Sequence, residues 1–260
     1  MPRPPSMYGP QTLDLRPTPV VLRLILINGA LWLLSVIALQ TQGRVIDSLM
    51  HRYLMVSPDG VVGDLYLWQP FTYMWFHDTE GLGHIAFNLL ALFFLGPPLE
   101  RRWGRRTFLR FYLLSGFIAG LFTVLVGLLI PSWFAVPTLG ASGAILALVA
   151  AFSMVHPDGQ VLIFFVIPMR ARYLVAVALG IDVLMFLVAG PATSTVAIHT
   201  HFGGALAGWL LITGNWRPQV AWFRLKQRFG GGRPPKGGSG RSGGPQLRVI
   251  RGGRDDRTLH

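Results

Sequence analysis

Ser142 lies in the stretch Thr138-Leu-Gly-Ala-Ser-Gly-Ala-Ile, and two histidines, His199 and His201, follow later in Ala197-Ile-His-Thr-His-Phe-Gly-Gly. A hydroxyl and an imidazole are the pair that nucleophilic acyl transfer needs: the ring takes the proton as the oxygen attacks a carbonyl. His84 and Asn88, four apart in Gly81-Leu-Gly-His-Ile-Ala-Phe-Asn, share one face of a helix, and both can donate hydrogen bonds to an oxyanion. Each feature also has a plainer reading. Ser142 could cap a helix while its neighbouring glycines Gly140 and Gly143 permit close packing. The histidines could be polar helix–helix contacts, and His84 a helix-start residue beside a packing asparagine. The local patterns leave both readings open.

Spacing adds geometry. From Ser142 to Val155 is 14 residues, about 21 Å of helix at 1.5 Å per residue. A helix of that length anchored at the inner face begins below the outer membrane surface. Ser142 is then at its N-terminus, where unpaired N–H groups can stabilise a developing oxyanion. His201, Ala205 and Gly208 follow an i, i+4, i+7 stripe, and Gly204-x-x-x-Gly208 is a close-packing motif. Such a stripe would let the last helix approach the one that begins at Ser142. His199 is about 200° around the helix from His201, so the two cannot both face one partner. A further pattern, Gly96-x-x-x-Glu100-x-x-x-Gly104, reads as structural, with Glu100 satisfying loop backbone or an arginine.

The elements that must position these groups are membrane helices. Of 260 residues, 52 % are apolar and 13 % charged, roughly half the charged share of a soluble domain, and the apolar residues come in long runs. Six segments, about 20–39, 84–100, 107–130, 142–155, 172–189 and 196–213, are apolar enough to cross or nearly cross a bilayer, where ~20 residues span the hydrocarbon. The run Val161–Pro168 is short and reads as an interfacial piece leading into the fifth span. Asp182 in that span is expected to pair or hydrogen-bond within the bundle. The first 18 residues are proline-rich and too polar for a signal peptide, so the first helix is expected to be retained.

Charge sets the orientation. The N-terminal segment to Arg23, the loops around 101–110 and 156–172, and the tail together hold 21 of the 23 basic residues. The other side holds Arg44 and Arg52 against Asp47, Asp59, Asp64, Asp78 and Glu80. The positive-inside rule makes both termini cytoplasmic. The expected organisation is a cytoplasmic segment 1–19, a six-helix membrane domain 20–213, and a basic Gly/Arg/Pro-rich cytoplasmic tail 214–260 that cannot bury a core. The net charge of +12 is concentrated in that tail. RGG-like pieces at Gly231–Arg233 and Arg251–Gly253 raise RNA binding, but a solvated tail held near anionic lipid accounts for them. No specific nucleic-acid partner is expected.

There is no cysteine, which excludes disulfides, thiolate nucleophiles and thiolate metal sites, and no H-E-x-x-H occurs, so neither a metal nor a cofactor is expected. A small transporter using midplane histidines and Asp182 would be expected to repeat its halves, and residues 20–130 and 140–213 show no repeat.

Taken together, His84-x-x-x-Asn88, Gly96/Glu100/Gly104, Gly140-Ala-Ser142-Gly143 and His201-x-Gly-Gly-x-x-x-Gly208 occur in the order seen in rhomboid intramembrane serine proteases. The chain resembles that family from about residue 65 to 210. The resemblance implies an all-α, six-transmembrane-helix bundle, with Ser142 as nucleophile and His201 as general base in a dyad without a carboxylate. His84, Asn88 and the Ser142 N–H would form the oxyanion hole. Two departures stand out. Trp68-Gln69 replaces the frequent Trp-Arg of the first external loop, and Leu146 stands where an aromatic residue often stacks on the imidazole. The implied substrates are single-pass transmembrane proteins in the lipid bilayer. Their helices must unwind for attack, which favours Gly, Ala, Ser or Pro in the outer portion. The basic loops suit a bacterial inner membrane. A non-proteolytic rhomboid-like protein that binds or chaperones membrane clients is the alternative.

Overall fold

Hydrocarbon offers no partner to a backbone N–H or C=O, so a chain with long apolar runs satisfies its backbone by coiling each run into helix. The computed structural model describes residues 16–163, 166–190 and 197–214. The segment before residue 16 and the tail beyond 214, expected above to be cytoplasmic, lie outside the described residues. Six helices of 14 residues or more occur among the described residues: α1 Pro19–Gln42, α2 Leu82–Trp103, α3 Arg105–Leu129, α4 Ser142–Val155, α5 Leu174–Ala189 and α6 Ile198–Thr213. They fall on the six apolar segments read from the sequence. Four stretches, Pro19–Thr41, Leu82–Trp103, Arg105–Leu129 and Ala171–Ala189, are long and apolar enough to cross a membrane. α4 and α6, at 14 and 16 residues, are shorter.

α4 is the centre of the bundle. Every residue from Gly143 to Ser153 is buried, as expected of a helix that is apolar all round. It packs against α2, α3, α5 and α6, and α6 also lies along α3. α5 is the opposite case: none of its residues is buried.

α1 docks on α2, and Glu100 explains how. The Glu100 carboxylate is buried and accepts hydrogen bonds from the Thr18 hydroxyl, from the Val20 N–H at 3.1 Å and from the Val21 N–H at 3.0 Å. It thereby caps the first turn of α1 from another helix, favourable both for the orphan donors and for the helix dipole. Gly96, one turn earlier on α2, lies where a Cβ would come 2.5 Å from the Val21 side chain. The sequence points to loop backbone or an arginine as the partner of Glu100; the donors in the structure are the Thr18 hydroxyl and the first N–H groups of α1. Gly104 has φ +80° and forms the turn from α2 into α3.

Two connections differ from a plain bundle. Residues 43–81 form a string of short turns, from the helix Arg44–Leu49 to the 3₁₀ turn Tyr73–Trp75. The apolar run at 161–168, expected as an interfacial piece, belongs to a hairpin in which β1 Gln160–Ile163 pairs antiparallel with β2 Ile167–Arg170. A short apolar run rich in Val and Ile suits a strand as well as a helix.

Candidate active site

The residues before Ser142 are held from outside their own helix. Val56 and Thr138 exchange two backbone hydrogen bonds of 2.9 Å. The Gly140 N–H donates to the Tyr73 carbonyl at 2.9 Å, and the Ala141 N–H donates to Nε2 of His77 at 3.3 Å. Gly140 has φ +119°, and a Cβ there would come 2.5 Å from Nε2 of His84, so both conformation and space require glycine. The helix then begins with Ala141 as N-cap and without a side-chain cap. Ser142 is the first helical residue, not the cap, so the plainer reading of it as a capping serine does not hold. The N–H groups of this first turn have no partner within the helix.

His77 went unnoticed in the sequence because nothing links it by spacing to Ala141. It is fully buried, and burial, with the neighbouring His84 ring adding to it, pushes its pKa down to about 3. A neutral ring is what the contact needs, since Nε2 accepts the Ala141 N–H.

The small-residue stripe of α6 lies against α4. A Cβ on Gly204 would run into the Gly143 carbonyl oxygen, and one on Gly208 would come 2.6 Å from the Ala147 carbonyl oxygen. Gly143 in turn has Ala119, Tyr73 and Thr200 against the place its Cβ would occupy. Backbone therefore lies on backbone where the two helices cross. The Thr123 and Thr200 hydroxyls, 2.6 Å apart, tie α6 to α3 just beside this crossing.

Ser142, His201, His84 and Asn88 all line one cavity of about 850 Å³, together with His199, Leu146 and Asp182. No hydrogen bond joins Ser142 to His201 among the described residues, a looseness common before substrate binds. Asn88 is buried and donates to the His84 carbonyl at 2.9 Å, which uses one of its two amide hydrogens. The Asp78 N–H approaches Nδ1 of His84 at 3.4 Å, so in the neutral ring Nε2 carries the hydrogen and is a donor. His201 places Nδ1 2.7 Å from Oδ2 of Asp182.

His199 is buried and packs on Phe134, ring centroids 5.0 Å apart. Both histidines border the cavity, although a 200° separation suggests opposite sides. The cavity runs past the first turn of α6, where a ring on either side can reach its edge.

A family model described as Rhomboid domain matches residues 64–217, more than half of the chain. The chain belongs to the rhomboid family. RHOMBOID-like protein 12, mitochondrial, of Arabidopsis thaliana is 26 % identical over 159 residues, 56 % of this chain and 43 % of its own length. Rhomboid protease GluP of Bacillus subtilis (strain 168) is 27 % identical over 143 residues, 55 % of this chain and 25 % of its own. Rhomboid protein 1, mitochondrial, of Saccharomyces cerevisiae (strain ATCC 204508 / S288c) is 28 % identical over 121 residues, 44 % and 32 % of the two lengths. The chain thus spans less than half the length of these relatives.

Rhomboid membership and the apolar helices together make this an integral membrane protein. Gln69, at the position of a frequent arginine, is fully buried: its Oε1 accepts the Ser57 N–H at 3.2 Å and its Nε2 donates to the Arg52 carbonyl at 2.8 Å. In this rhomboid a neutral amide thus orders the loop. Leu146 lines the cavity one turn after Ser142 and offers packing without a ring to stack. The carboxylate beside His201 is a third departure from the dyad that the resemblance implies.

Proposed function

We propose that this rhomboid is an intramembrane serine endopeptidase. Ser142 is its nucleophile and His201 its general base, and His84, Asn88 and the first N–H groups of α4 are the oxyanion donors. The observation that carries the reading is that one cavity is lined by all four residues at the start of a buried, uncapped helix.

His201 Nε2 takes the Ser142 proton as Oγ attacks the peptide carbonyl, giving a tetrahedral intermediate. Its oxyanion is met by His84 Nε2–H, the free amide hydrogen of Asn88 and the helix N-terminus. The imidazolium then protonates the leaving amine, and the acyl-enzyme is hydrolysed by water that His201 deprotonates. Substrates are single-pass transmembrane helices whose outer portion contains Gly, Ala, Ser or Pro, since a helical carbonyl is already hydrogen-bonded and shielded. In this reading the six long helices cross or nearly cross the bilayer, with both termini cytoplasmic in a bacterial inner membrane. Reporter fusions after Thr213 and near Asp59 test that orientation, and reversed signals would overturn it.

The deciding experiment incubates the purified protein with a panel of fluorogenic transmembrane peptides and compares the parent with Ser142→Ala. Cleavage by the parent and none by the variant is expected. Cleavage retained without the hydroxyl would remove this mechanism. Binding of the peptides without cleavage by either would favour the non-proteolytic, client-binding reading, in which the same cavity is a docking groove.

A further inference from the structure

α5 presents a single ionisable side chain, Asp182, in an otherwise apolar helix of which no residue is buried. A carboxylate is costly at such a place, and an apolar residue would serve packing better. Yet its Oδ2 lies 2.7 Å from Nδ1 of His201, both side chains being 14 % exposed. We propose that Asp182 is a positioning residue for catalysis, which holds His201 as the Nδ1–H tautomer and completes a Ser142–His201–Asp182 triad. The proposal rests on the reading of Ser142 and His201 given above.

The chemistry follows from the inventory of donors. An ionised carboxylate only accepts, so the ring nitrogen facing it must carry the hydrogen, and Nε2 is left with the lone pair. That is the tautomer a general base toward Ser142 requires. When Nε2 takes the Ser142 proton, the ring becomes an imidazolium with an N–H on each side. Asp182 stabilises that charge without itself taking a proton. As the peptide C–N bond breaks, the Nε2 proton passes to the amine. In the second half, water gives a proton to Nε2 and its oxygen to the acyl carbon, and Ser142 Oγ leaves and recovers that proton. The triad ends as it began.

Among the described residues of the helices packed on α6, Asp182 is the carboxylate that meets His201. α4 contains no ionisable group and α5 only this one. The electrostatic neighbours of His201 include His199 on its own helix and His84 on α2, both imidazoles. Asp78 also lines the cavity, but its carboxylate Oδ1 accepts the Glu80 N–H at 2.9 Å and its backbone N–H faces His84.

The test uses the full chain in detergent micelles or nanodiscs. Asp182→Asn is expected to lower kcat at least about 100-fold, by analogy with the ~10⁴-fold fall when a soluble triad loses its aspartate charge, with KM little changed. Asp182→Glu should restore part of the loss. A contact that only held α5 to α6 would show in thermal unfolding and would not divide the variants by carboxylate. Independently of turnover, ¹⁵N-histidine spectra should show His201 as Nδ1–H in the parent and a shifted tautomer population in Asp182→Asn. An Nε2–H ring in the parent, or a parental kcat in Asp182→Asn, would overturn the proposal. If no peptide is cleaved by the parent, the protease reading fails, and the tautomer spectra still decide whether Asp182 orients the ring.

Discussion

Gly204 of α6 rests against the backbone carbonyl of Gly143, the residue that follows Ser142, with no room for a methyl group between them. The separation of Ser142 from His201 is therefore set by two backbones in contact. Gly204→Ala should push α6 away from α4 and cost about 1–3 kcal/mol through overpacking. Thermal unfolding in micelles and labelling by a serine-directed phosphonate should both fall. Unchanged labelling would show that the helix crossing does not set the site.

The two histidines of α6 separate cleanly by their surroundings. His201→Ala should abolish cleavage and phosphonate labelling, because the hydroxyl loses its base. His199 packs on Phe134, so His199→Ala should leave labelling largely intact with at most a modest loss of stability. A reversal of these effects would mean that the wrong ring had been assigned to Ser142.

His84→Ala and Asn88→Ala should each reduce kcat without abolishing it. Removing one oxyanion donor from an aqueous serine protease costs about 3 kcal/mol, or roughly 100-fold. With a second side chain and the helix N-terminus also available, the loss should be smaller here. Steady-state kinetics on one fluorogenic peptide measures it, and two unaffected variants would leave the backbone as the whole oxyanion hole.

Glu100→Ala leaves the Thr18 hydroxyl and the Val20 and Val21 N–H groups without their acceptor. Unsatisfied buried donors cost about 1–3 kcal/mol each, less where water reaches them, so a loss of about 3 kcal/mol in unfolding free energy is expected. Labelling of Ser142 in the folded fraction should persist. A variant as stable as the parent would show that α1 does not need this cap.

His77 supplies a pH dependence. Its folded pKa of about 3 lies below the ordinary value near 6.5, so between those two pH values the unfolded chain binds a proton that the folded chain refuses. Stability then rises with pH across this window and is lost as pH falls from about 6.5 toward 3. His77→Asn should flatten that slope in thermal unfolding measured at pH 7.5 and pH 5. Equal slopes in parent and variant would remove His77 as the source.

How far the sequence reveals this arrangement depends on the separation of the partners. The start of α4 at Ser142 and the glycine stripe of α6 are local patterns, readable from a few neighbouring residues. Asp182 is visible only as a lone charge in an apolar run, because which side of α5 faces α6 is decided by packing. The Ala141 N–H meets the His77 ring between two loops that carry no periodicity, and the hairpin strands at 160–163 and 167–170 hide in a run too short to distinguish strand from helix. Glu100 reads as structural in the sequence, while its partners at the start of α1 stand up to 82 residues away.

That distance bears on the order of assembly during synthesis. α1 leaves the ribosome before α2, and the acceptor for its opening turn is made 80 residues later. Until α2 is threaded, the Val20 and Val21 N–H groups must be met by water or lipid headgroups at the membrane surface. Glu100 then supplies the acceptor for both groups, and Gly96 leaves room for the Val21 side chain beside it. The cap on the first turn of α1 can therefore form only after the end of α2 has been made.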